Sequence, residues 1–207
     1  YTLHDLSFLE HPDYTTEVNR WICFNGVFEA SVYADFIVAV SEYSRQKFLE
    51  MFPHYPASRI RTIYLGSRFS TMRDDAASPP EGYGLAKEAF WLSVGTLEPR
   101  KNIRCLMDAY AELAKTRQSE FPLVLAGGEG WLEEGLSDYI EALGIGEKVI
   151  LTGYTTDAQL ARLYHNCYAF IYPSFYEGFG LPVLEAMSMG AAVVTSKTTS
   201  LPEVAGD

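Results

Sequence analysis

Two glutamates frame a glycine-containing turn in the second half of the chain. Glu177 and Glu185 lie in the segment YEGFGLPVLEAM, with seven residues between them. A carboxylate accepts hydrogen bonds, and a ribose or a hexose offers hydroxyl donors in pairs. A carboxylate beside phosphate-binding amides would repel an anion, so neutral hydroxyls are its expected partners. The spacing therefore favours a sugar-binding turn; a plain turn before an amphipathic helix with one surface Glu is the alternative.

The residues between these glutamates are predicted to open a helix. Gly178 and Gly180 flank Phe179, and glycine allows unusual backbone conformations and the close approach of a ligand. Pro182 lies just inside the helix start, where its missing N–H is harmless. We therefore expect the amides of Phe179, Gly180 and Leu181 to point out of a helix N-terminus, as a site for an anion or a sugar hydroxyl.

A second turn carries two adjacent cations. Arg100 and Lys101 lie between a predicted buried strand at 89–94 and a helix predicted at 103–115. The helix macrodipole disfavours cations at this end of a helix. The misfit favours a ligand phosphate, which amides and cations would bind together. Two solvated charges in a loop are the alternative.

The sequences of these segments resemble those of one enzyme family. EGFGLPVLEAM is similar to the signature of the retaining glycosyltransferases of the two-domain GT-B fold, the family numbered four, or group 1. Other segments agree in the right order: YTLHDLSFLEHPDYT, VGTLEPRKN, LVLAGGEG and SLPEVAGD. The resemblance covers nearly the whole chain and implies an α/β fold with two doubly wound, Rossmann-like parallel sheets.

The resemblance also implies roles for single residues. His4 matches a histidine that ends a strand and faces the donor sugar, and Glu177 matches a glutamate that contacts this sugar. Lys101 matches the basic residue that binds the pyrophosphate of a nucleotide sugar, and Glu185 would hold the ribose. No metal is implied, because cations and helix amides replace magnesium in this family.

The loop after the predicted strand at 89–94 departs from the family pattern. Many members carry Gly-Arg where this chain has Gly95-Thr96, so Arg100 becomes the candidate for the second cation. Retention of configuration is compatible with a covalent intermediate on Glu177. It is also compatible with same-face attack in a loose ion pair, which the resemblance favours and in which Glu177 would orient and stabilise.

Two other functions stay open at this point. One is a nucleotide-sugar-binding module without transferase activity, although a pure binding module has no reason to place His4 at a strand end. The other is a GT-B phosphorylase or epimerase. The segment HDLSFLEHPDYT resembles bacterial mannosyltransferases of surface polysaccharides, which favours GDP-mannose as the donor. For a transferase of this family, the expected acceptor is a saccharide or a lipid-linked molecule.

Composition excludes some functions. The 207 residues carry 16 basic and 27 acidic side chains, a net charge of -11, which argues against nucleic acid as a partner and gives no support for docking on anionic lipid. The three cysteines lie far apart without metal-binding spacing, which favours a reducing, cytoplasmic compartment. Any contact with the inner face of the membrane would involve parts outside this chain.

The order of elements predicts two domains. Residues 1–66 are interpreted as the end of an N-terminal, acceptor-side domain, 67–87 as a linker rich in Pro and Gly, and 88–207 as a truncated donor domain. The chain lacks an initial Met and opens within a predicted strand. We therefore expect it to be a fragment with both domains incomplete and without transfer activity by itself.

Local patterns predict several helix features. The segment from Thr15 to Ala34 reads as a core or covering helix, with Val18, Ile22, Val27 and Ala30 at helical spacing and Trp21, Phe24 and Phe28 adding bulk. A further helix is predicted from Trp131 to Leu143. Thr156 with Gln159, and Ser200 with Glu203, have the spacing of capping boxes.

Overall fold

A computed structural model describes residues 1–69, 71–72, 76, 78, 80–116, 120–128 and 135–206 of the chain. They form two compact units, and neither unit is continuous in sequence. Unit 1 comprises Tyr1–Gly66, Tyr176–Leu181 and Lys197–Asp207. Unit 2 comprises Ser67–Phe175 and Pro182–Ser196.

Strands and helices alternate along the chain. The described strands are β1 (Thr2–Leu3), β2 (Ile37–Ala39), β3 (Ile60–Thr62), β4 (Trp91–Val94), β5 (Leu123–Ala126), β6 (Val149–Gly153), β7 (Ala169–Tyr172) and β8 (Val193–Thr195). The described α-helices are α1 (Ser7–Glu10), α2 (Glu17–Tyr33), α3 (Glu42–Met51), α4 (Ile103–Lys115), α5 (Leu136–Ala142), α6 (Asp157–Asn166), α7 (Leu181–Ser188) and α8 (Leu201–Ala205). Short 3₁₀ helices cover Pro12–Tyr14, Ala57–Arg59, Pro99–Lys101 and Gly146–Lys148.

Unit 1 is built on a three-stranded parallel sheet in the order β1-β2-β3. The side chains of Leu3, Ile37 and Ile60 come from the three strands and are at most 1% exposed. Leu6 and Phe48 pack into the same core. Strands this apolar are typical of parallel sheets, which are covered on both faces.

In helix α2 the sequence pattern did not predict which apolar residues are buried. Its buried side chains are Val27, Ala30 and Ser31, whereas Val18 and Trp21 are each 68% exposed. Ile22, Phe24 and Phe28 are exposed as well, so the prediction that all of these apolar residues face the core was wrong. At about 100° per residue, Val18 and Val27 lie on opposite sides of the helix. The chain thus carries two apolar faces, and periodicity alone does not tell which one is buried.

Unit 2 is built on a five-stranded parallel sheet in the order β6-β5-β4-β7-β8. The sheet starts at β4, grows to one side through β5 and β6, and then reverses to grow through β7 and β8. The prediction of a doubly wound parallel sheet is confirmed for this unit. Such sheets bind ligands outside the carboxyl ends of the strands, at the point where the order reverses. In unit 2 this point lies between β4 and β7.

Several helix predictions in unit 2 can be compared with the structure. Helix α4 begins and ends at the predicted residues and buries Leu106, Met107 and Tyr110 against the sheet. The capping box of Thr156 and Gln159 is present at the start of α6. Of the helix predicted at 131–143, residues 131–134 lie outside the described residues, and α5 covers the later part.

The segment predicted as a linker contributes to unit 2 where it is described. Residues 70, 73–75, 77 and 79 lie outside the described residues. Phe69 and Ala76 are at most 1% exposed. The side-chain amide of Asn166 donates to the carbonyl oxygens of Ala76 and Ser78, at 2.9 and 3.1 Å. At Phe69 and Ala76 this segment is therefore packed into unit 2.

Candidate functional site

The loop that follows β4 is fixed by a close approach of two glycines. The amide of Gly95 donates to the carbonyl oxygen of Ala126 at 2.9 Å, and Leu97 donates to Gly128 at 3.1 Å. A Cβ on Gly127 would lie 2.0 Å from the carbonyl oxygen of Gly95, so any larger residue there would force the loops apart. The carboxyl ends of β4 and β5 are therefore held in contact at the edge where a ligand is expected.

The same loop is joined to the loop that follows β7. Asn102 lies between the 3₁₀ turn and α4. It adopts the left-handed conformation with φ 57°, which Asn tolerates better than most residues. Its side-chain amide donates to the carbonyl oxygen of Pro173 at 3.2 Å. The amide of Phe175 donates to the carbonyl oxygen of Arg100 at 2.8 Å. The two loops beside the reversal point of the sheet are thus tied together within unit 2.

Lys101 lies in this joined region and is 7% exposed. Its Nζ donates a hydrogen bond of 2.6 Å to the hydroxyl oxygen of Tyr172, the last residue of β7. Burial of an ammonium group is costly unless it is hydrogen-bonded. The structure therefore holds a cation in a defined place at the carboxyl ends of β4 and β7.

Arg100 and Thr96 are placed differently from Lys101. The Nε of Arg100 lies 2.6 Å from Oε1 of Glu98, a residue that is 2% exposed. Thr96 is exposed on the loop. The guanidinium of Arg100 is thus engaged by an adjacent carboxylate, and its role as the second cation stays a prediction.

Glu185 lies on α7 in unit 2 and is 5% exposed. Its Oε1 accepts from Nε of Arg68 at 3.0 Å, and its Oε2 accepts from the hydroxyl of Tyr164 at 3.2 Å. Nη1 of Arg68 also lies 2.9 Å from Oδ1 of Asp157. A carboxylate has about four lone-pair sites, so these two bonds leave acceptor capacity for a ligand hydroxyl.

Burial and charge act in opposite directions on this carboxylate. Burial raises the pKa of Glu185 above its usual value, and the charge of Arg68 and the two hydrogen bonds oppose that rise. Burial, followed by the charge of Glu185, raises the pKa of Tyr164 well above its usual value. The phenol of Tyr164 therefore keeps its proton and acts as the donor in its hydrogen bond to Glu185.

In unit 1 the turn at 177–180 is packed against the residues that directly follow β1. A Cβ on Gly178 would lie 2.1 Å from the carbonyl oxygen of His4 and 2.7 Å from Cβ of Asp5. Gly180 has φ 106°, and a Cβ there would lie 2.8 Å from Cδ2 of Leu201. The expectation of an unusual backbone conformation is thus confirmed at Gly180. At Gly178 the lack of a side chain instead allows the main chain of His4 to approach closely.

Hydroxyl groups hold the main chain of this turn. The hydroxyl of Ser200 donates to the carbonyl oxygens of Glu177 and Phe179, at 2.8 and 3.0 Å. The amide of Glu177 donates to Oγ1 of Thr199 at 3.0 Å. The hydroxyl of Ser44 donates to the carbonyl oxygen of Gly178 at 3.3 Å. The backbone on both sides of Gly178 is therefore fixed from α3 and from the segment before α8.

The predicted capping box at Ser200 and Glu203 was wrong. Ser200 makes no side-chain capping bond to its own helix. The two carboxylate oxygens of Glu203 instead accept from the amides of Glu42 and Tyr43, at 2.7 and 2.8 Å, at the start of α3. Both residues stabilise unit 1 through partners that are distant in sequence.

The predicted site residues divide between the two units. His4 is exposed and Glu177 is 6% exposed, and both belong to unit 1. Unit 1 also contains Gly178, Phe179, Gly180 and Leu181, and unit 2 contains Gly95, Thr96, Arg100, Lys101 and Glu185. Sequence reasoning missed Arg68, Tyr164 and Tyr172. Arg68 lay in the presumed linker, and the tyrosines lay in apolar patterns, which are typical of core residues.

Comparison with known proteins assigns the chain to a family. The family described as Glycosyl transferases group 1 matches residues 80–207. The O-antigen chain mannosyltransferase B of Escherichia coli is 40% identical over 209 residues, which cover all of this chain and 55% of that protein. The serotype-specific mannosyltransferase WbdA of Escherichia coli is 39% identical over 180 residues, covering 84% of this chain and 22% of its own length.

A solved structure shows the same fold. The crystal structure of HepE from Anabaena, in complex with UDP and glucose, superposes with a TM-score of 0.78 at 24% identity. The match covers 98% of this chain and 54% of HepE, so the chain spans about half the length of such relatives. The prediction of a GT-B-like α/β fold with parallel sheets is confirmed.

Proposed function

Because this chain belongs to the glycosyl transferases group 1 family, we propose that the protein is a retaining glycosyltransferase. It would move a hexose from a nucleoside diphosphate sugar to a saccharide or lipid-linked acceptor. The observation that carries this proposal is the buried ammonium of Lys101 at the reversal point of the unit 2 sheet. A cation held there suits the diphosphate of a ligand bound at the carboxyl ends of the strands.

Lys101 is proposed to stabilise the leaving diphosphate. When the bond between the anomeric carbon and the diphosphate oxygen breaks, negative charge builds on the diphosphate. A preorganised cation is worth most where such charge develops. Arg100 would also stabilise the charge on the diphosphate when its ion pair with Glu98 opens. In this proposal protein cations and helix amides carry the charge, and the reaction needs no metal.

Glu185 is proposed to bind the ribose of the donor. Its carboxylate is fixed by Arg68 and Tyr164 and keeps acceptor capacity for hydroxyl groups. Gly95 and Thr96 would line the loop beside the donor. The amides of Phe179, Gly180 and Leu181, with Gly178 allowing the turn, would bind a sugar hydroxyl or a phosphate oxygen.

His4 and Glu177 are proposed to act on the donor sugar. Glu177 would orient the sugar and stabilise positive charge at the anomeric carbon during same-face attack by the acceptor hydroxyl. The alternative is a covalent intermediate on Glu177. A Glu177→Gln variant that keeps near-normal turnover would remove this residue from both roles.

The relatives favour mannose as the transferred sugar. The two Escherichia coli proteins described above are named mannosyltransferases of O-antigen synthesis. We therefore propose GDP-mannose as the donor and a growing surface polysaccharide as the acceptor, in the cytoplasm or at the inner face of the membrane. Within the described residues, none of the helices has both the length and the apolar character needed to cross a bilayer.

The test is donor turnover by the full-length protein. GDP-mannose, UDP-glucose and other nucleotide sugars are incubated with and without a mannose-containing acceptor, and the release of nucleoside diphosphate is measured with the anomeric configuration of the product. Acceptor-dependent release with retained configuration supports the proposal. Binding without any turnover would favour a binding module, phosphorolysis would favour a GT-B phosphorylase, and epimerisation would favour an epimerase.

The present chain offers a second measurement. Catalysis by the proposed enzyme requires exclusion of water around the donor by the whole protein. The 207-residue chain alone is therefore expected to show no transfer to the acceptor. Robust turnover by this chain would overturn that expectation.

A further inference from the structure

A row of aromatic rings lies inside unit 2. The ring of Tyr164 meets Phe69 edge-on at 5.9 Å and Phe170 edge-on at 5.4 Å between centroids. Phe170 in turn stacks on Tyr172 at 5.5 Å. Phe170 and Tyr172 share one face of β7, because alternate residues of a strand point to the same side. These four rings, here called the aromatic row, are each at most 1% exposed.

The two tyrosines of the aromatic row differ from its phenylalanines in what their hydroxyl groups contact. The Tyr172 hydroxyl accepts a hydrogen bond of 2.6 Å from Nζ of Lys101. The Tyr164 hydroxyl donates at 3.2 Å to Oε2 of Glu185. One row therefore holds both the cation and the carboxylate that the proposed function assigns to the donor nucleotide.

Packing alone does not require these hydroxyl groups. A buried hydroxyl costs free energy unless it is hydrogen-bonded, and Phe fills nearly the same space as Tyr. Each hydroxyl here meets a charged group on another element: Lys101 precedes α4, and Glu185 lies on α7. A long Lys side chain and a Glu side chain have several rotamers, so a fixed partner limits where their charges lie.

We propose that Tyr172 and Tyr164 are positioning residues that set the places of Lys101 and Glu185 for the two ends of a nucleoside diphosphate. Tyr172 fixes the ammonium that meets the diphosphate, and Tyr164 fixes the carboxylate that meets the ribose. This inference rests on the proposed function of the site. It assigns a separate part of the ligand to each hydroxyl.

The test uses Tyr164→Phe and Tyr172→Phe in the full-length protein. Tyr110→Phe is the matched control, because Tyr110 is also a buried residue of unit 2 and its hydroxyl donates to main-chain carbonyl oxygens, those of Phe121 and Lys148, at 2.9 and 3.2 Å. Dissociation constants are measured by calorimetry for GDP, 2′-deoxy-GDP and GMP, and for the matching uridine compounds. Thermal unfolding of each variant reports any loss of stability.

Two ratios separate positioning from stability. The ratio of the Kd of 2′-deoxy-GDP to that of GDP measures the contact with the ribose 2′-hydroxyl, and the ratio for GMP to GDP measures the contact with the second phosphate. Tyr164→Phe is expected to lower the first ratio about fivefold and Tyr172→Phe the second about fivefold, the value of one hydrogen bond. Each variant should leave the other ratio unchanged. A general loss of stability would change all affinities of a variant together and leave its ratios intact.

The outcomes are distinguishable. Selective loss of the expected ratio in each variant, with Tyr110→Phe like the wild type, supports the inference. Wild-type ratios in both Tyr164→Phe and Tyr172→Phe, while the wild type binds nucleotide, overturn it and leave the proposed function standing. A wild-type protein that binds none of these nucleotides overturns the proposed function, and this inference with it.

Discussion

In unit 1 the segment 177–180 is held by its main chain, whereas in unit 2 Lys101 and Glu185 are held by their side chains. The carbonyl oxygens of Glu177, Gly178 and Phe179 accept from serine hydroxyls, and Gly178 touches the main chain of His4. The charges of Lys101 and Glu185 instead meet the hydroxyls of two buried tyrosines. The first arrangement fixes a backbone path, and the second fixes where charges lie.

This difference predicts which property a substitution changes. A change in the turn of unit 1 leaves a clash or an unsatisfied buried carbonyl, and both act on folding. A change at Lys101 or its partner alters a side chain whose main task is proposed to be ligand binding. Stability should therefore be the property most affected by a change in the turn, and nucleotide affinity the property most affected by a change at Lys101.

The largest expected effect is that of Gly178→Ala. The added Cβ would lie 2.1 Å from the carbonyl oxygen of His4, so the backbone of the turn or of His4 must move. We expect a loss of about 3 kcal/mol in the free energy of unfolding, measured by chemical denaturation. Gly66→Ala is the control, since a Cβ there meets nothing within 4 Å. Equal stability of the two variants would contradict the close packing described.

Ser200→Ala should have the next largest effect. It removes the donor that serves the carbonyl oxygens of Glu177 and Phe179 in a residue that is 0% exposed. We expect a loss of about 2 kcal/mol in the free energy of unfolding. Ser31→Ala is a matched control in unit 1, because the buried Ser31 hydroxyl donates to a carbonyl of its own helix, that of Phe28. A loss as large in Ser31→Ala would show that the turn is not specially dependent on its donor.

Lys101→Met should lower nucleotide affinity more than stability, in contrast to the two substitutions in unit 1. The replacement removes the donor to the buried hydroxyl of Tyr172, so we expect a loss of about 1 kcal/mol in the free energy of unfolding, smaller than the losses expected in the turn. Affinity for GDP should fall about tenfold to a hundredfold, the value of a hydrogen bond between charged groups. Lys115→Met, on the exposed side of α4, is the control. Unchanged GDP affinity in Lys101→Met would contradict the proposed division of tasks between the two regions.

The smallest expected effect is a dependence of stability on pH. Because burial raises the pKa of Glu185 in the folded chain, folding takes up a proton at pH values between the ordinary and the raised pKa. The contribution of Glu185 to stability therefore falls as the pH rises through this window. Glu185→Gln should remove this slope in chemical denaturation at pH values above the usual pKa of a glutamate carboxyl.

Arg68→Gln adds a second variant to the same measurement. The charge of Arg68 opposes the rise in the pKa of Glu185, so its removal should extend the window to higher pH. Arg162→Gln is the control, since Arg162 pairs on the surface with Glu81. A contribution of Glu185 that grows with pH would show that the ion pair outweighs burial.

The sequence predicted features that depend on near neighbours. Helix α4 and the capping box at Thr156 follow from periodicity and from spacing within one turn, and both were found. The prediction of a capping box at Ser200 failed because the carboxylate of Glu203 accepts from the amides of Glu42 and Tyr43, about 160 residues away in sequence. The prediction of the buried residues of α2 failed because this helix has two apolar faces, and only the tertiary structure determines which one is buried.

The contrast between local features and contacts distant in sequence also explains which parts of the candidate site could be predicted. The turns that carry Lys101 and Glu177 could be named from glycines, charges and the resemblance. The partners of the charges could not, because Arg68 and Glu185 are 117 residues apart and Lys101 and Tyr172 are 71 apart. Contacts of this kind leave no periodic or local signal in a single sequence. They depend on the strand order of the sheet, in which β4 and β7 are neighbours.

The most direct test of the proposed donor site is an experimental structure of the full-length protein with bound GDP. We predict that the diphosphate lies at the carboxyl ends of β4 and β7, within hydrogen-bonding distance of Nζ of Lys101, with a ribose hydroxyl on the carboxylate of Glu185. A nucleotide bound elsewhere, with Lys101 and Glu185 still joined only to protein groups, would contradict this prediction.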